Sequence, residues 1–283
     1  MFHRFAIVAL LAASASVSAD VVLLSESFNA GSAVDSDADF AGSPADNTDP
    51  NRAFNVQTIS SNRLAYAATG GVGNSGRLDA PSGQTPFANH RTGFAGFGTY
   101  STIRLAIDGR VDTTGTSAQG DVSTTIGLKR DVDSFGRTFA ASDTGMYWRL
   151  KSLAHANVGD VQFELEFFHA GATSGTVVGS FDNDANTSTL PTFDDEQWYR
   201  FEAVYSLDGL SQIDATLNIC DLGSNGMSTP SLFQSFSVSN IADTNFTTAS
   251  TLYATIGAKE RNDNGIEPID NLSVIAVPEP TSL

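Results

Sequence analysis

Cysteine is almost absent: Cys220 is the chain's only one. With no second thiol, no intrachain disulfide can form, so a domain of this size has to be held by its core. A lone thiol also excludes zinc-finger spacing. Histidines are few, and His90, His155 and His169 stand apart, with no HExxH arrangement. Bases are scarce as well: 15 Lys+Arg face 32 Asp+Glu, for a net charge of −17. That balance excludes nucleic acid and anionic membrane surfaces as bulk electrostatic partners. It suits solubility outside a cell and affinity for divalent cations. GxSxG, a Walker loop and an aromatic RNA-binding motif are all missing. Beyond the first residues no long stretch carries helical periodicity.

The N-terminus reads as a secretory signal peptide. Arg4 gives a basic start, Phe5 to Ala13 is an apolar run, and Val17-Ser18-Ala19 is a small-residue cleavage site. The run is too short for a membrane span, which needs roughly 20 residues. Cleavage between Ala19 and Asp20 leaves a mature chain of a length that suits one large all-β domain or two small ones. No linker or internal repeat divides it.

Alternation of period two dominates the rest. Ile103, Leu105 and Ile107 oppose Thr102, Arg104 and Asp108. Val161, Phe163, Leu165 and Phe167 oppose Gln162, Glu164 and Glu166, and Ile213, Ala215, Leu217 and Ile219 oppose Gln212, Asp214, Thr216 and Asn218. Successive side chains leave a strand on opposite faces, so these are half-buried antiparallel strands. Residues 21–28, 122–129, 146–150, 199–207, 232–238, 252–259 and 269–276 are further candidates. About ten strands and no helices predict a β-sandwich or barrel. Residues 30–58 are loop-rich and acidic.

Trp198 is followed by Phe201, Ala203 and Tyr205, and Asp208-Gly209 turns the chain into the Ile213 strand. Near the end come Ile256-Gly257-Ala258 and Ile269-Asp270-Asn271-Leu272-Ser273-Val274. The Trp-centred hairpin and this closing phrase resemble the concanavalin A-like lectin/glucanase sandwiches, particularly their laminin-G-like branch. The resemblance covers residues 21–276 and implies an all-β, antiparallel jelly-roll sandwich. Trp198 is read as a cover over the core edge, not as a platform for a sugar ring.

The chain ends Val277-Pro278-Glu279-Pro280-Thr281-Ser282-Leu283. Pro278, Glu279 and Pro280 resemble the recognition motif of the PEP-CTERM family of exported Gram-negative proteins. In that family the motif is followed by an apolar span and an Arg cluster, and neither follows here. The resemblance implies an exosortase-type sorting enzyme as partner and a truncated sorting tail at residues 277–283. The expected organisation is thus a signal peptide at 1–19, a sandwich at 20–276 and that tail.

Three constellations invite chemistry. The laminarinase-like relatives of the sandwich carry Glu-x-Asp-x-Glu along one strand, and the matching positions here are Gln162, Glu164 and Glu166. Two carboxylates at such spacing stand about 7 Å apart, near the separation glycosidases use. An amide at the first position cannot attack an anomeric carbon, so Glu164 and Glu166 are read as a polar strand face, with catalysis as the alternative. Asp182, Asp184 and Asn186 have the alternating oxygens of a calcium loop, but an EF-hand wants Gly and Glu where Thr187 and Phe193 stand. Asp35, Asp37 and Asp39 form a similar cluster. The expectation is no resident cofactor, with calcium at residues 182–186 as the alternative. Gly71-Val72-Gly73-Asn74-Ser75-Gly76 matches GxGxxG, yet Pro81 follows where a nucleotide-binding helix would run, so it is read as a flexible turn. Cys220 falls opposite the apolar face of its strand and is read as a structural thiol.

Together these describe an exported protein of the cell envelope or extracellular matrix, non-enzymatic and glycan-binding through rim loops or a concave sheet face. A glycoside hydrolase or lyase of the same fold, and a purely structural matrix component without a small ligand, are the alternatives. Polysaccharide is the expected partner, and nucleic acid is not one.

Overall fold

In the computed structural model the described residues are 19–29, 31, 54–57, 65–79, 87–112, 123–131, 145–153, 162–169, 176–182, 193–194, 196–208, 211–259 and 265–278. Asp184, Asn186, Glu279, Pro280 and the Asp35 cluster lie outside them. The strands are β1 (Val21–Glu26), β2 (Phe54–Gln57), β3 (Ala65–Ala67), β4 (Arg77–Asp79), β5 (Phe87–His90), β6 (Phe94–Ala95), β7 (Tyr100–Asp112) and β8 (Ser123–Lys129). They continue with β9 (Gly145–Leu153), β10 (Gln162–Phe168), β11 (Thr176–Asp182), β12 (Gln197–Leu207), β13 (Ile213–Gly223), β14 (Ser231–Ile241), β15 (Thr251–Lys259) and β16 (Gly265–Pro278). A single helical turn, α1 (Thr244–Thr247), precedes β15.

Two eight-stranded antiparallel sheets result. Sheet A runs β14-β13-β12-β7-β16-β4-β3, with β1 also on β16; sheet B runs β11-β10-β9-β8-β15-β5-β2, with β6 also on β15. This is the all-β antiparallel sandwich that the alternation predicts. Every strand expected from the sequence is present. Those not expected are the short β2 to β6 and the edge strand β11.

The alternation sorts each strand between core and outside. From sheet A, Ile103, Leu105, Ile107, Phe201, Ala203, Leu217 and Val274 enter the core; from sheet B, Ile126, Leu128, Met146, Trp148, Leu165 and Ile256 meet them. Tyr205 is buried at the centre, and its hydroxyl donates across the gap to the Met146 carbonyl at 3.1 Å. A buried phenol needs such an acceptor, and here the acceptor joins the two sheets. One polar pair interrupts the core. Glu26 on β1 and His90 on β5 are both buried, with His90 Nε2 3.4 Å from Glu26 Oε1. His90 Nδ1 accepts from the Thr92 N–H at 3.1 Å, which places the ring proton on Nε2, toward the carboxylate.

The last strand is an inner one. β16 pairs with β7 along one edge and with β1 and β4 along the other. It runs to Pro278, opposite Tyr100, so the first residue of the Pro-Glu-Pro tripeptide ends a paired strand two residues beyond the expected domain boundary.

Sidedness gives a direct check of the sandwich. Leu217 is 1% exposed and Leu232 is 65% exposed. Leu217→Ala should cost about 2–5 kcal/mol in urea denaturation, while Leu232→Ala should stay within roughly 0.5 kcal/mol of wild type. Equal losses would mean that the faces are wrongly assigned.

Candidate functional site

Each sheet has one face turned away from the core, and the two differ in chemistry. On sheet B the outward positions alternate with the core residues just named. They carry Thr125, Gly127 and Lys129 on β8, Tyr147 and Arg149 on β9, Glu166 and Phe168 on β10, and Tyr253 and Thr255 on β15. The register aligns Asn89, Thr255, Gly127, Tyr147 and Phe168 in one row across five strands.

Tyr147 and Phe168 are each 1% exposed, yet neither belongs to the intersheet core. Their rings stack with centroids 5.4 Å apart. Lys129 Nζ lies 4.9 Å from the Tyr147 ring and the Arg149 guanidinium 4.7 Å from the Phe168 ring, within cation–π range. Gly127 makes room for Tyr147, because a Cβ there would lie 2.3 Å from the tyrosine's own Cβ. The hydroxyls of Thr125 and Thr255 are buried on the same face without a hydrogen bond. Buried hydroxyls normally find partners, so these two set the face apart. The Arg149 side chain remains a quarter exposed. At the end of β8 a recess of about 300 Å³ is lined by Arg130, Thr248, Ala249, Ser250 and Thr251.

This face is where the acid pair from the sequence falls. Arg149 Nε donates to Glu166 Oε2 at 2.6 Å, and Nη2 closes on the same oxygen. Glu164 stands opposite Lys151 in register. Glu166 is thus held in an ion pair by Arg149. The side chains of Gln162 and Glu164 lie outside the described ones.

The outward face of sheet A holds a carboxylate network. Asp108 and Asp270 are fully buried and opposite each other on β7 and β16. Asp108 accepts from Arg200 Nε at 2.7 Å and Nη2 at 2.9 Å, in a forked pair, and from Asn271 Nδ2 at 2.9 Å. Asp270 accepts from the Val72 N–H at 2.8 Å, the Ser75 hydroxyl at 2.6 Å and the Asn271 N–H at 2.7 Å. Between Asp270 and Ser273 the strand carries an extra residue, and Asn271 takes φ 54°, a left-handed conformation that asparagine tolerates. The bulge turns Asn271 onto Asp108. A recess of about 280 Å³ opens beside it, lined by Ser25, Glu26, Ser27, Arg200, Asn271, Leu272 and Ser273. Burial, outweighing the hydrogen bonds, pushes the Asp270 carboxyl up to about 6, and Asp108 adds to the effect.

This network explains the GxGxxG segment. The loop is a turn, as expected, but one tied to Asp270 through Val72 and Ser75. A Cβ at Gly76 would lie 1.7 Å from the Phe28 carbonyl, so that glycine serves close packing of two backbones. β4 follows it where a nucleotide site would need a helix.

The remaining candidates are scattered. Asp182 ends β11, opposite Gln162. Among the described residues no group of three or more metal-binding side chains occurs. Asp20 lies next to β1, with Oδ2 3.6 Å from Arg104 Nη1. Trp198 is 3% exposed at the start of β12, so it offers no open platform. Cys220 is a free thiol on the outward side of β13, and burial pushes its pKa up, with Glu202 adding. Its reactivity is lowered accordingly. Sequence reasoning missed Arg149, Tyr147, Lys129 and the Asp108–Asp270 pair as a group.

No protein-family model matches the chain, and no curated protein does. Solved structures do. The lectin from Bauhinia forficata in complex with GalNAc is 9% identical over 84% of this chain and 98% of its own, with a TM-score of 0.45. The basic winged bean lectin with Tn-antigen is 11% identical over 80% and 93%, at 0.43. The marine PL-14 alginate lyase from Aplysia kurodai is 12% identical over 91% and 100%, at 0.41. These scores are low, and the likeness carries no argument about ligand or activity.

The Asp270 carboxyl supplies a pH test. Its pKa is raised on folding, so the native state holds the proton more tightly, and this group's contribution to stability falls as pH rises from about 4 to about 6. In urea denaturation the stability of wild type relative to Asp270→Asn should therefore improve on acidification from pH 7 to 4, by no more than about 3 kcal/mol. A difference that stays flat across that range would contradict the assignment.

Proposed function

We propose that this is an exported, non-enzymatic surface or extracellular-matrix protein that binds glycans on the outward face of sheet B. The observation that supports it best is a layer in which the Tyr147–Phe168 stack and the unmatched Thr125 and Thr255 hydroxyls lie buried beside the quarter-exposed Arg149 side chain. Sugars present an apolar ring face and a rim of hydroxyls. Aromatic side chains with a few fixed polar groups complement both. Export rests on the Arg4, apolar run and Ala19 order, followed at once by β1. The sorting proposal, with an exosortase-type enzyme as partner, rests on Pro278-Glu279-Pro280 at the end of β16. The hydrolase or lyase alternative is weakened by Gln162 at the nucleophile position and by the Arg149 grip on Glu166.

Thr125→Val and Thr255→Val separate binding from folding. Each removes a buried, unsatisfied hydroxyl at nearly constant shape. Stability should hold or rise by about 1 kcal/mol, while affinity on a polysaccharide array should drop several-fold. Unchanged affinity in both variants, or no binding by the wild type to any polysaccharide of the producing organism, would sink the proposal and favour a purely structural role.

A further inference from the structure

The ends of the two sheets are not alike. Sheet A ends on β14 and β3, and sheet B on β11 and β2. β3 and β2 are three and four residues long. β11 has Gly179 inside it and ends on Asp182. Short edges and edge charges deter a further strand from pairing, and an interior glycine weakens a strand.

β14 has none of these features. It spans 11 residues and pairs with β13. Among the described strands of seven residues or more it alone has no Asp, Glu, Lys or Arg, and no proline interrupts it. Ser235, Ser237, Ser239 and Asn240 are exposed, and Leu232 is 65% exposed. An edge strand turns alternate N–H and C=O groups away from its neighbour. Water or another strand has to meet them.

The ladder also has a centre. Bulges on β14 fall opposite the Ile213 to Ala215 and Ile219 to Cys220 steps of β13, and they leave a regular stretch at residues 234–238. That stretch is centred on Phe236, which is also the midpoint of the strand. An antiparallel copy laid along the edge about Phe236 sets Ser235 beside Ser237, and Gln234 beside Val238, twice over. Each side chain keeps its face. Ser235 and Ser237 point outward with Asn218 and Thr216, and Phe236 and Val238 pack toward the core with Leu217 and Ala215. No like charges meet.

We infer that β14 joins two copies of this chain into a twofold dimer in which sheet A runs on from one subunit to the other. Charge and symmetry both select a second copy as the occupant. Two chains of net charge −17 repel, so they meet most easily where neither strand is charged. The register about Phe236 reads the same from either side, as an isologous contact requires, and such a contact closes at two subunits. The strand is roughly 35 Å long and sheets stack about 10 Å apart, so the joint covers on the order of 350 Å² per copy. A standard interface covers about 800 Å² per partner, so this dimer is weak, with a Kd on the order of 10–100 µM. The inference does not depend on the glycan reading. It bears on that reading in one way: a twofold within sheet A points both outward faces of sheet B in the same direction, and a polymer can then meet two of them at once.

Sedimentation velocity of the full chain over roughly 1–1,000 µM tests the dimer. Wild type should pass from monomer to dimer and no further. Ser235→Lys with Ser237→Lys sets like charges against each other across the twofold and should raise the Kd at least tenfold. Ser235→Lys with Ser237→Glu sets opposite charges at the same places and should associate at least as tightly as wild type. Val22→Lys, at a 64% exposed position on β1, should leave the dimer unchanged. A thermal melt checks that each variant is folded. Wild type that stays monomeric throughout would overturn the inference, as would a dimer that survives the double-lysine change. Species larger than a dimer, equal loss in the two double variants, or dissociation on Val22→Lys would each overturn it too.

Discussion

Sheet A depends on its last strand. Among the described strands β16 alone joins β7 to β1 and to β4, so the two earliest parts of that sheet have no place until β16 is laid down. Such pairing is non-local, and its loop-closure entropy is paid before the contacts form. With no disulfide available, the compensation comes from the core under β16, where Ile269, Leu272, Val274 and Ala276 are buried. The bulge at Asn271 belongs to the same strand. It lets β16 stay paired with β7 on both sides of the Asp108–Asp270 network while that network holds the Val72–Ser75 turn and Arg200 in place.

The division of labour between the sheets follows. The outward face of sheet A pairs many of its polar groups with one another, although Arg110 Nε is left unmatched. Thr216 bonds Ser237, Ser235 donates to Asn218, and Asn218 donates to Glu202. Asp108, Asp270 and Asn271 are similarly committed. Sheet B leaves the Thr125 and Thr255 hydroxyls unmatched and stacks Tyr147 on Phe168 away from the core. A closed polar network stiffens a sheet, whereas an incomplete one is costly unless a ligand completes it. The glycan proposal places recognition on sheet B for that reason.

Much of this was legible in the sequence. The period-two patterns at Ile103–Ile107, Phe163–Phe167 and Ile213–Ile219 assign strands and also their buried faces, because burial on one side of an antiparallel sheet imposes the alternation. The short β2 to β6 escape notice because two to four residues carry no measurable period, and β11 because an edge strand takes its register from its neighbour. The Asp270-Asn271 bulge is invisible because it depends on the partner's count of residues, not on its own. The layer of Thr125, Tyr147, Phe168 and Thr255 was not legible, because β8, β9, β10 and β15 become neighbours only once the sheet order is known, with β15 more than a hundred positions from β9. Gly76 matched a nucleotide motif although its constraint is the Phe28 carbonyl beside it.

The central claim is that ligand recognition belongs to sheet B alone. Hydrogen-exchange mass spectrometry of the full chain, with and without a saturating polysaccharide that the array identifies, addresses it directly. The account predicts added protection in peptides covering β8, β9 and β15 and none in those covering β12, β13 and β14. Protection concentrated on the sheet A peptides, or no change anywhere at saturation, would contradict it.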